Sequence, residues 1–402
     1  MRVGRAGVVV LLGLIGVTGM LRPYESIARE GDAVQRKVRR ELRSFTDWLE
    51  ANHARGYIGE VGWPARNSSD DGRWNRVAEA WYDDADAAGL WVTAWSTGEW
   101  WGTNYPLAIY EDRARGRAVD SPNPQAVVVE RHNRRRGYRR GVNVAGGEFG
   151  TPVIQPTSEF SNANPGMYDR DYHYDSRNTF DFLASRGIKL VRIPFRWERL
   201  QRSPGGRLKA DELERIKDVA RRARRAGLRI VLDMHNYSGY YLDNGDEGVR
   251  RAIGSEQVTI GDFADVWRRI ARTFKEVRAV RGFGLMNEPV ELPATGERSA
   301  AESWEVASRR AVRAIRRAGV TKVVFVPGYM WAGVQTWQRQ HPDAWISRRL
   351  GPIRYEAHHY WDCDHSGRYE RSYDEEQECA EGQGWPAIWL VRELRSLAPG
   401  RP

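Results

Sequence analysis

From Gly141 onward the chain alternates short apolar, β-rich runs with longer segments whose apolar positions recur every three or four residues. The strand-like runs are Gly141-Val142-Asn143-Val144-Ala145, Ile188 to Phe195, Leu228 to His235, Gly282 to Met286, Lys322 to Val326 and Ile353 to Tyr360. Between them, Asp211 to Ala226 sets Leu213, Ile216, Val219, Ala220 and Ala223 on one face and predicts an amphipathic helix, as does Phe263 to Val280. Upstream, Tyr57-Ile58-Gly59-Glu60-Val61 and Trp91-Val92-Thr93-Ala94-Trp95 predict two more strands, separated by a helix over Trp74 to Ala88. Alternating strand and helix implies a parallel sheet with right-handed crossovers. Those six runs and these two make the full set that closes a (β/α)8 TIM barrel.

Both ends of the chain then fall at one place in that barrel. A helix carrying Leu42, Phe45, Trp48 and Leu49 on a face leads into the first strand, and Ile388 to Leu397 is helical in pattern after the last. The segment Arg40-Glu41-Leu42-Arg43-Ser44 recurs unchanged as Arg392-Glu393-Leu394-Arg395-Ser396. Tandem duplication followed by trimming leaves such an overlap. Thr103 to Arg140, with Pro106, Pro122 and Pro124 and no clear period, predicts a linker, Ala126 to Val129 forming a short strand or plug at the barrel bottom.

Composition narrows the class without choosing a chemistry. With 41% hydrophobic and 29% charged residues in 402, the chain can bury a sizeable core, which argues against disorder. The net charge of +10 comes largely from arginines at helical spacing, such as Arg221-Arg222-Ala223-Arg224-Arg225, as on solvated outer faces. The densest run, Arg131-His132-Asn133-Arg134-Arg135-Arg136, lacks any nucleic-acid-binding pattern around it, so no nucleic-acid partner is expected. Met1-Arg2-Val3-Gly4-Arg5 followed by the uncharged stretch Ala6 to Leu21 predicts an export signal over 1–22, with a membrane tether through 6–21 as the alternative. The only cysteines, Cys363 and Cys379, form an even pair compatible with one disulfide in an exported protein.

The candidate chemistry lies at strand ends. Asn287-Glu288-Pro289 closes one apolar run and Gly59-Glu60-Val61-Gly62 closes another, so two glutamates stand at the C-terminal ends of two barrel strands. A proton donor and a nucleophile so placed are what a retaining glycosidase needs. Together with Val191-Arg192-Ile193-Pro194-Phe195-Arg196-Trp197, Leu232-Asp233-Met234-His235-Asn236, Glu356-Ala357-His358-His359-Tyr360 and Ala94-Trp95, these stretches resemble glycoside hydrolase family 5, the cellulase family. In that family the proton donor precedes the nucleophile, whereas here the order is reversed. The resemblance therefore implies a circularly permuted barrel. Residues 33–102 would supply the sixth helix to the eighth strand, 103–140 the linker joining the ancestral ends, and 141–400 the first six strands and part of the sixth helix.

The resemblance implies Glu288 as acid/base, Glu60 as nucleophile, and Arg192, His235, Asn236, Asn287, His358, Tyr360, Trp95 and Trp331 as residues supporting or binding substrate. Gly147-Glu148-Phe149-Gly150 matches the usual letters of the nucleophile motif better, but it ends the strand that resembles the family's first and lacks the Tyr-Ile-Gly lead-in. Trp197, Trp100, Trp101, Tyr237, Tyr240 and Tyr241 also follow strand ends and are expected to reach the cleft. His359, between two inward positions, is expected to face the barrel wall. The expected activity is cleavage of β-1,4-glucan by a secreted or membrane-tethered monomer, with another β-linked polysaccharide or an inactive sugar-binding protein as alternatives. A strand-exchanged dimer is a further possibility for assembly. No cofactor or metal is expected, since no His-x-x-x-His or clustered cysteine pattern exists.

Overall fold

The computed structural model describes residues 31–65, 69–103, 105–136, 139–151 and 155–382. Eight parallel strands close a barrel in simple chain order. They are β1 (Gly56–Gly62), β2 (Trp91–Thr97), β3 (Arg140–Val144), β4 (Leu190–Phe195), β5 (Arg229–Met234), β6 (Val280–Gly284), β7 (Val323–Pro327) and β8 (Ile353–Tyr360), with β8 pairing back onto β1. The outer ring is built from α1 (Ala33–Ala51), α2 (Asp71–Ala87), α3 (Ala126–Arg136), α4 (Arg177–Ser185), α5 (Ala210–Arg225), α6 (Ile260–Thr273) and α7 (Ala300–Arg317), and α8 (Tyr373–Gly382) lies against α1. The lower barrel is plugged by Tyr57, Trp91, Leu190, Val231 and Phe325, all buried, so the interior is a packed core and not a pore. None of the described helices is long and apolar enough to cross a membrane.

One expected element takes a different form. Ala126 to Arg136 is a helix on the outside of the barrel, neither strand nor plug. Val128, Val129, His132 and Asn133 are buried at helical spacing. His132 sits between Asp86 of α2 (2.9 Å) and Glu79 (3.2 Å), and Arg131 pairs with Glu79 at 2.6 Å. Arg131 and Arg134 of the arginine-rich run thus have acidic partners, and the described residues of 103–140 form part of the barrel wall and include a small ribbon, Tyr110–Glu111 with Ser121–Pro122. The expected export segment, the helix over Ile388 to Leu397 and the second copy of the repeat lie outside the described residues.

The head of the described chain is locked onto β8. Asp32 caps α1 by accepting from the Gln35 N–H, and Val34, Val38, Leu42, Phe45, Trp48 and Leu49 form its buried stripe. Trp48 packs edge-on against Tyr355 of β8 at 5.1 Å. Glu41 accepts from His359 and His365, each at 3.0 Å. The Trp81 indole donates to His359 Nδ1, which leaves the other ring nitrogen carrying the proton that Glu41 receives. His359 therefore faces outward between helices, as its strand parity predicts. Cys363 and Cys379 are joined in a disulfide that ties the loop after β8 to α8.

Burial pushes the Glu41 carboxyl up, but the charges of His365 and Lys37 and the two histidine hydrogen bonds outweigh it and hold it well below the usual range. A depressed carboxylate stabilises the fold fully above its unfolded value of about 4.3, and the contribution fades as pH falls through the folded value. Glu41→Gln is therefore expected to lose about 1.5–3 kcal/mol at neutral pH. Urea denaturation at neutral and acid pH checks this: the gap between variant and parent closes in acid.

Candidate active site

The site is assembled from strand ends at one mouth of the barrel. On β8, Glu356, His358 and Tyr360 alternate inward. On β1 strict alternation from the inward Tyr57 would turn Glu60 outward. A register irregularity between Ile58 and Glu60 inserts Gly59 as an extra residue and swings Glu60 into the mouth, opposite His358. Gly59 is required there for space: a Cβ would lie 2.2 Å from Glu356 Oε1. Past β6, Glu288 has a φ of 43°, in the left-handed region that ordinary side chains avoid, and this turn directs its carboxyl across the mouth.

One guanidinium gathers the group. Arg192 Nη1 donates to Glu60 Oε1 (2.9 Å) and Asn143 Oδ1 (3.0 Å), and Nη2 donates to Asn287 Oδ1 (2.8 Å). The same nitrogen lies 2.9 Å from Asp233 Oδ1 and 3.3 Å from Glu356 Oε1. Tyr360 donates its hydroxyl to Glu60 Oε2 at 2.7 Å. His358 Nδ1 stands 2.9 Å from Glu288 Oε1 and 3.5 Å from Glu60 Oε2. Carboxylate oxygens of Glu60 and Glu288 and a His358 ring nitrogen all fall within 4.8 Å of one another. His235 is held by Asp233 (3.0 Å) and the Tyr237 hydroxyl (3.1 Å), and stacks on Trp95 with ring centres 6.2 Å apart.

The two glutamates have unequal electrostatics. Burial raises Glu60, but the charges of His358, Arg192 and His235 and the Tyr360 hydroxyl overcome it, and its carboxyl is net depressed. Glu288 is raised: burial is the main cause and the Glu60 charge adds to it, against the opposing hydrogen bond from His358. Burial opposes the charge on His358, yet Glu60, Glu288 and Glu356 together push it up to about 10, so it is an imidazolium at neutral pH.

With that geometry in place, similarity to known proteins becomes informative. The profile described as Cellulase (glycosyl hydrolase family 5) matches residues 142–390, more than half of the chain. The chain belongs to glycosyl hydrolase family 5. The manganese dependent endoglucanase Eg5A of Phanerodontia chrysosporium is 27% identical over 268 residues, covering 63% of this chain and 58% of that protein. Endo-beta-1,4-glucanase B of Aspergillus niger is 28% identical over 234 residues, covering 57% and 61%. The chain thus spans less than two thirds of the length of these relatives. Among solved structures, Pseudomonas stutzeri endoglucanase Cel5A is 32% identical with a TM-score of 0.48, covering 57% of this chain and 64% of that one.

In this family 5 barrel, Glu60, Glu288, Arg192, His235, Asn287, His358, Tyr360 and Trp95 come together, and Trp331 lies beside Tyr237 at 5.9 Å. Asn236 does not join them. It is fully buried, its oxygen accepting from the Trp197 N–H and its amide donating to Glu198 and Gly239, so nothing is left for a ligand. Trp197, Tyr240 and Tyr241 are likewise buried and do not reach the cleft, whereas Trp100, Trp101 and Tyr237 remain at least partly accessible. Asn143, Asp233 and Glu356 escaped sequence reasoning, although counting back by two from His235 and His358 finds the two acids. Tyr105, which accepts from the Trp95 indole at 2.7 Å and stacks on Trp101, carried no local signal.

Removing the charge that neutralises this buried group should be costly. Arg192→Met leaves Glu60, Asp233 and Glu356 uncompensated, and an unfolding free energy lower by about 3–5 kcal/mol is expected in urea titration.

Proposed function

We propose that this protein is a retaining endo-β-1,4-glucanase in which Glu288 is the acid/base and Glu60 the nucleophile. The observation that carries the reading is the approach of the two carboxylates to within 4.8 Å. Double displacement places its carboxyls about 5–5.5 Å apart, whereas an inverting pair leaves about 6.5–9.5 Å for a water. The opposite shifts suit the division of labour: the depressed carboxylate attacks the anomeric carbon, and the raised one is protonated to hand its proton to the departing sugar oxygen. Once the glycosyl-enzyme forms, Glu60 loses its charge, Glu288 loses part of what kept it protonated, and it can act as base toward water.

The surrounding residues support this assignment. Arg192 and Tyr360 keep Glu60 ionised and aimed. Asn287 spends its oxygen on Arg192, and its buried Nδ2 has no partner, which suits a donor to the sugar 2-hydroxyl. Trp95 offers a face to the sugar ring. Glu148 lacks the nucleophile's supports, since its only bonded oxygen accepts from the Gly146 N–H and burial raises its carboxyl. The names of the relatives support endo action on β-1,4-glucan rather than mannan or mixed-linkage glucan, and the full set of supporting residues weighs against an inactive binder.

We further infer that the barrel is circularly permuted relative to its family. The family match begins at Val142, inside β3, and leaves β1 and β2 ahead of it. Those strands supply Glu60 and Trp95, and α3 provides the helix that follows the family's eighth strand, so the ancestral ends would meet near 137–140. A disulfide suits an oxidising, extracellular setting.

Glu288→Gln should lower turnover of cellulose chains about 10²–10⁴-fold while sparing aryl cellobiosides whose leaving group departs without a proton. Glu60→Gln should abolish both. The parent's pH profile should be a bell whose acid limb follows Glu60 and whose alkaline limb follows Glu288, and Glu288→Gln should remove the alkaline limb. Equal losses on both substrates in Glu288→Gln would contradict the role given to Glu288.

A further inference from the structure

Beside the cleft, a second group of charged side chains has no part in the proposed reaction. Glu99 lies in the loop after β2, and His173 and Asp175 lie in the long loop between β3 and α4. Their ligand-type atoms all fall within 4.8 Å of one another. His173 Nε2 is 3.3 Å from Asp175 Oδ1 and 3.8 Å from Glu99 Oε2. Two donors bound tetrahedrally to one ion at about 2.1 Å stand about 3.4 Å apart. The His173–Asp175 pair matches that edge, and Glu99 at 3.8 Å would close in slightly on an ion.

Each member is held in place by its own partners. Glu99 Oε1 accepts from the Ser176 N–H (2.7 Å) and the Thr179 hydroxyl (2.5 Å), and Asp175 Oδ1 accepts from the Glu99 N–H (3.0 Å). The His173 ring meets Trp100 edge-on at 5.1 Å, and its backbone N–H donates to Gly146 O. Such support fixes the direction in which donor atoms point. Neither carboxylate is ion-paired to a lysine or arginine among the described residues. The Asp175 side chain is 0% exposed, yet its Oδ2 has no hydrogen-bond partner. A buried carboxylate oxygen left unpaired is costly, and a cation answers that cost directly.

We propose that Glu99, His173 and Asp175 bind one Zn²⁺ or Mn²⁺ ion. One imidazole and two carboxylates suit these ions better than Mg²⁺ or Ca²⁺, which favour all-oxygen sets, and water would complete the coordination. The His173 side chain, 16% exposed, gives the ion a way in. Bound there, the ion would cross-link the loops that carry Trp100, Trp101 and Phe149, which pack on one another as one aromatic wall. His173 and Asp175 are two residues apart in one loop, but Glu99 comes from a loop far away in sequence, so no local spacing announces the complete group.

The test is calorimetric titration of the metal-stripped full chain with ZnCl2 and with MnCl2, in the parent and in His173→Ala, Asp175→Asn and Glu288→Gln. Bound Mn²⁺ is read separately by electron paramagnetic resonance, and circular dichroism verifies folding of each variant. One equivalent is expected in the parent and in Glu288→Gln, with affinity at least about tenfold weaker in His173→Ala and in the near-isosteric Asp175→Asn. Absence of binding to the parent overturns the proposal. So does any pattern in which the His173 and Asp175 variants bind as the parent does, or in which Glu288→Gln loses the ion and places it in the cleft. None of these outcomes depends on the glucanase reading.

Discussion

The candidate site rests on one buried cation. Arg192 is 1% exposed and is shared among Glu60, Asp233, Glu356, Asn143 and Asn287, side chains from five other barrel positions. Burying that many carboxylates in a space of low dielectric is unfavourable unless each finds a charged or hydrogen-bonded partner. The guanidinium fork satisfies several of them at once in a fixed plane, which a lysine could not. A second cation, the His358 imidazolium, lies between Glu60, Glu288 and Glu356. The asymmetry of the two mouth carboxyls follows from this layout. Glu60 touches both cations and a tyrosine hydroxyl, whereas Glu288 touches only the histidine and feels the repulsion of Glu60. Chemically identical side chains are thereby driven toward opposite protonation states.

A closed barrel makes serial order immaterial to that arrangement. Every strand has two neighbours, so β1 lies beside β8 whether the chain enters the ring at one strand or another. The seam between β8 and β1 is secured by the helix that precedes β1. Here α1 fills its slot through an aromatic stripe against β8, Lys37 donates to the carbonyls of Trp361 and Asp362, and Glu41 engages two histidines after β8. The disulfide and α8 pack over the same junction. These contacts tie α1, the loop after β8 and α8 together beside the β8–β1 seam.

Much of this was legible in the sequence because it rests on periodicity. Eight apolar runs fell where eight strands formed, and the two-residue spacing of His358 and Tyr360 placed both on the inner face. Helix α3 was missed because its arginines masked a stripe of only a few buried positions, Val128, Val129, His132 and Asn133. Glu60 is inward only through the irregularity at Gly59, which alternation alone would place on the wrong face. Asn236 and Trp197 were misread as cleft residues because a strand end fixes position along the barrel axis but not the direction of the next turn. The chain after β5 tightens there, and Asn236 closes it from inside. His173 and Asp175 are two residues apart, but nothing in the sequence brings Glu99 to them, since that proximity is a property of neighbouring loops.

The central claim is that Glu60, from the head of the chain, attacks the sugar that Glu288 protonates. Mechanism-based trapping with an activated 2-deoxy-2-fluoro cellobioside, followed by peptide mapping, tests it most directly. The account predicts a single glycosyl adduct on the peptide containing Glu60. An adduct on Glu148, or turnover without any covalent intermediate, would contradict it.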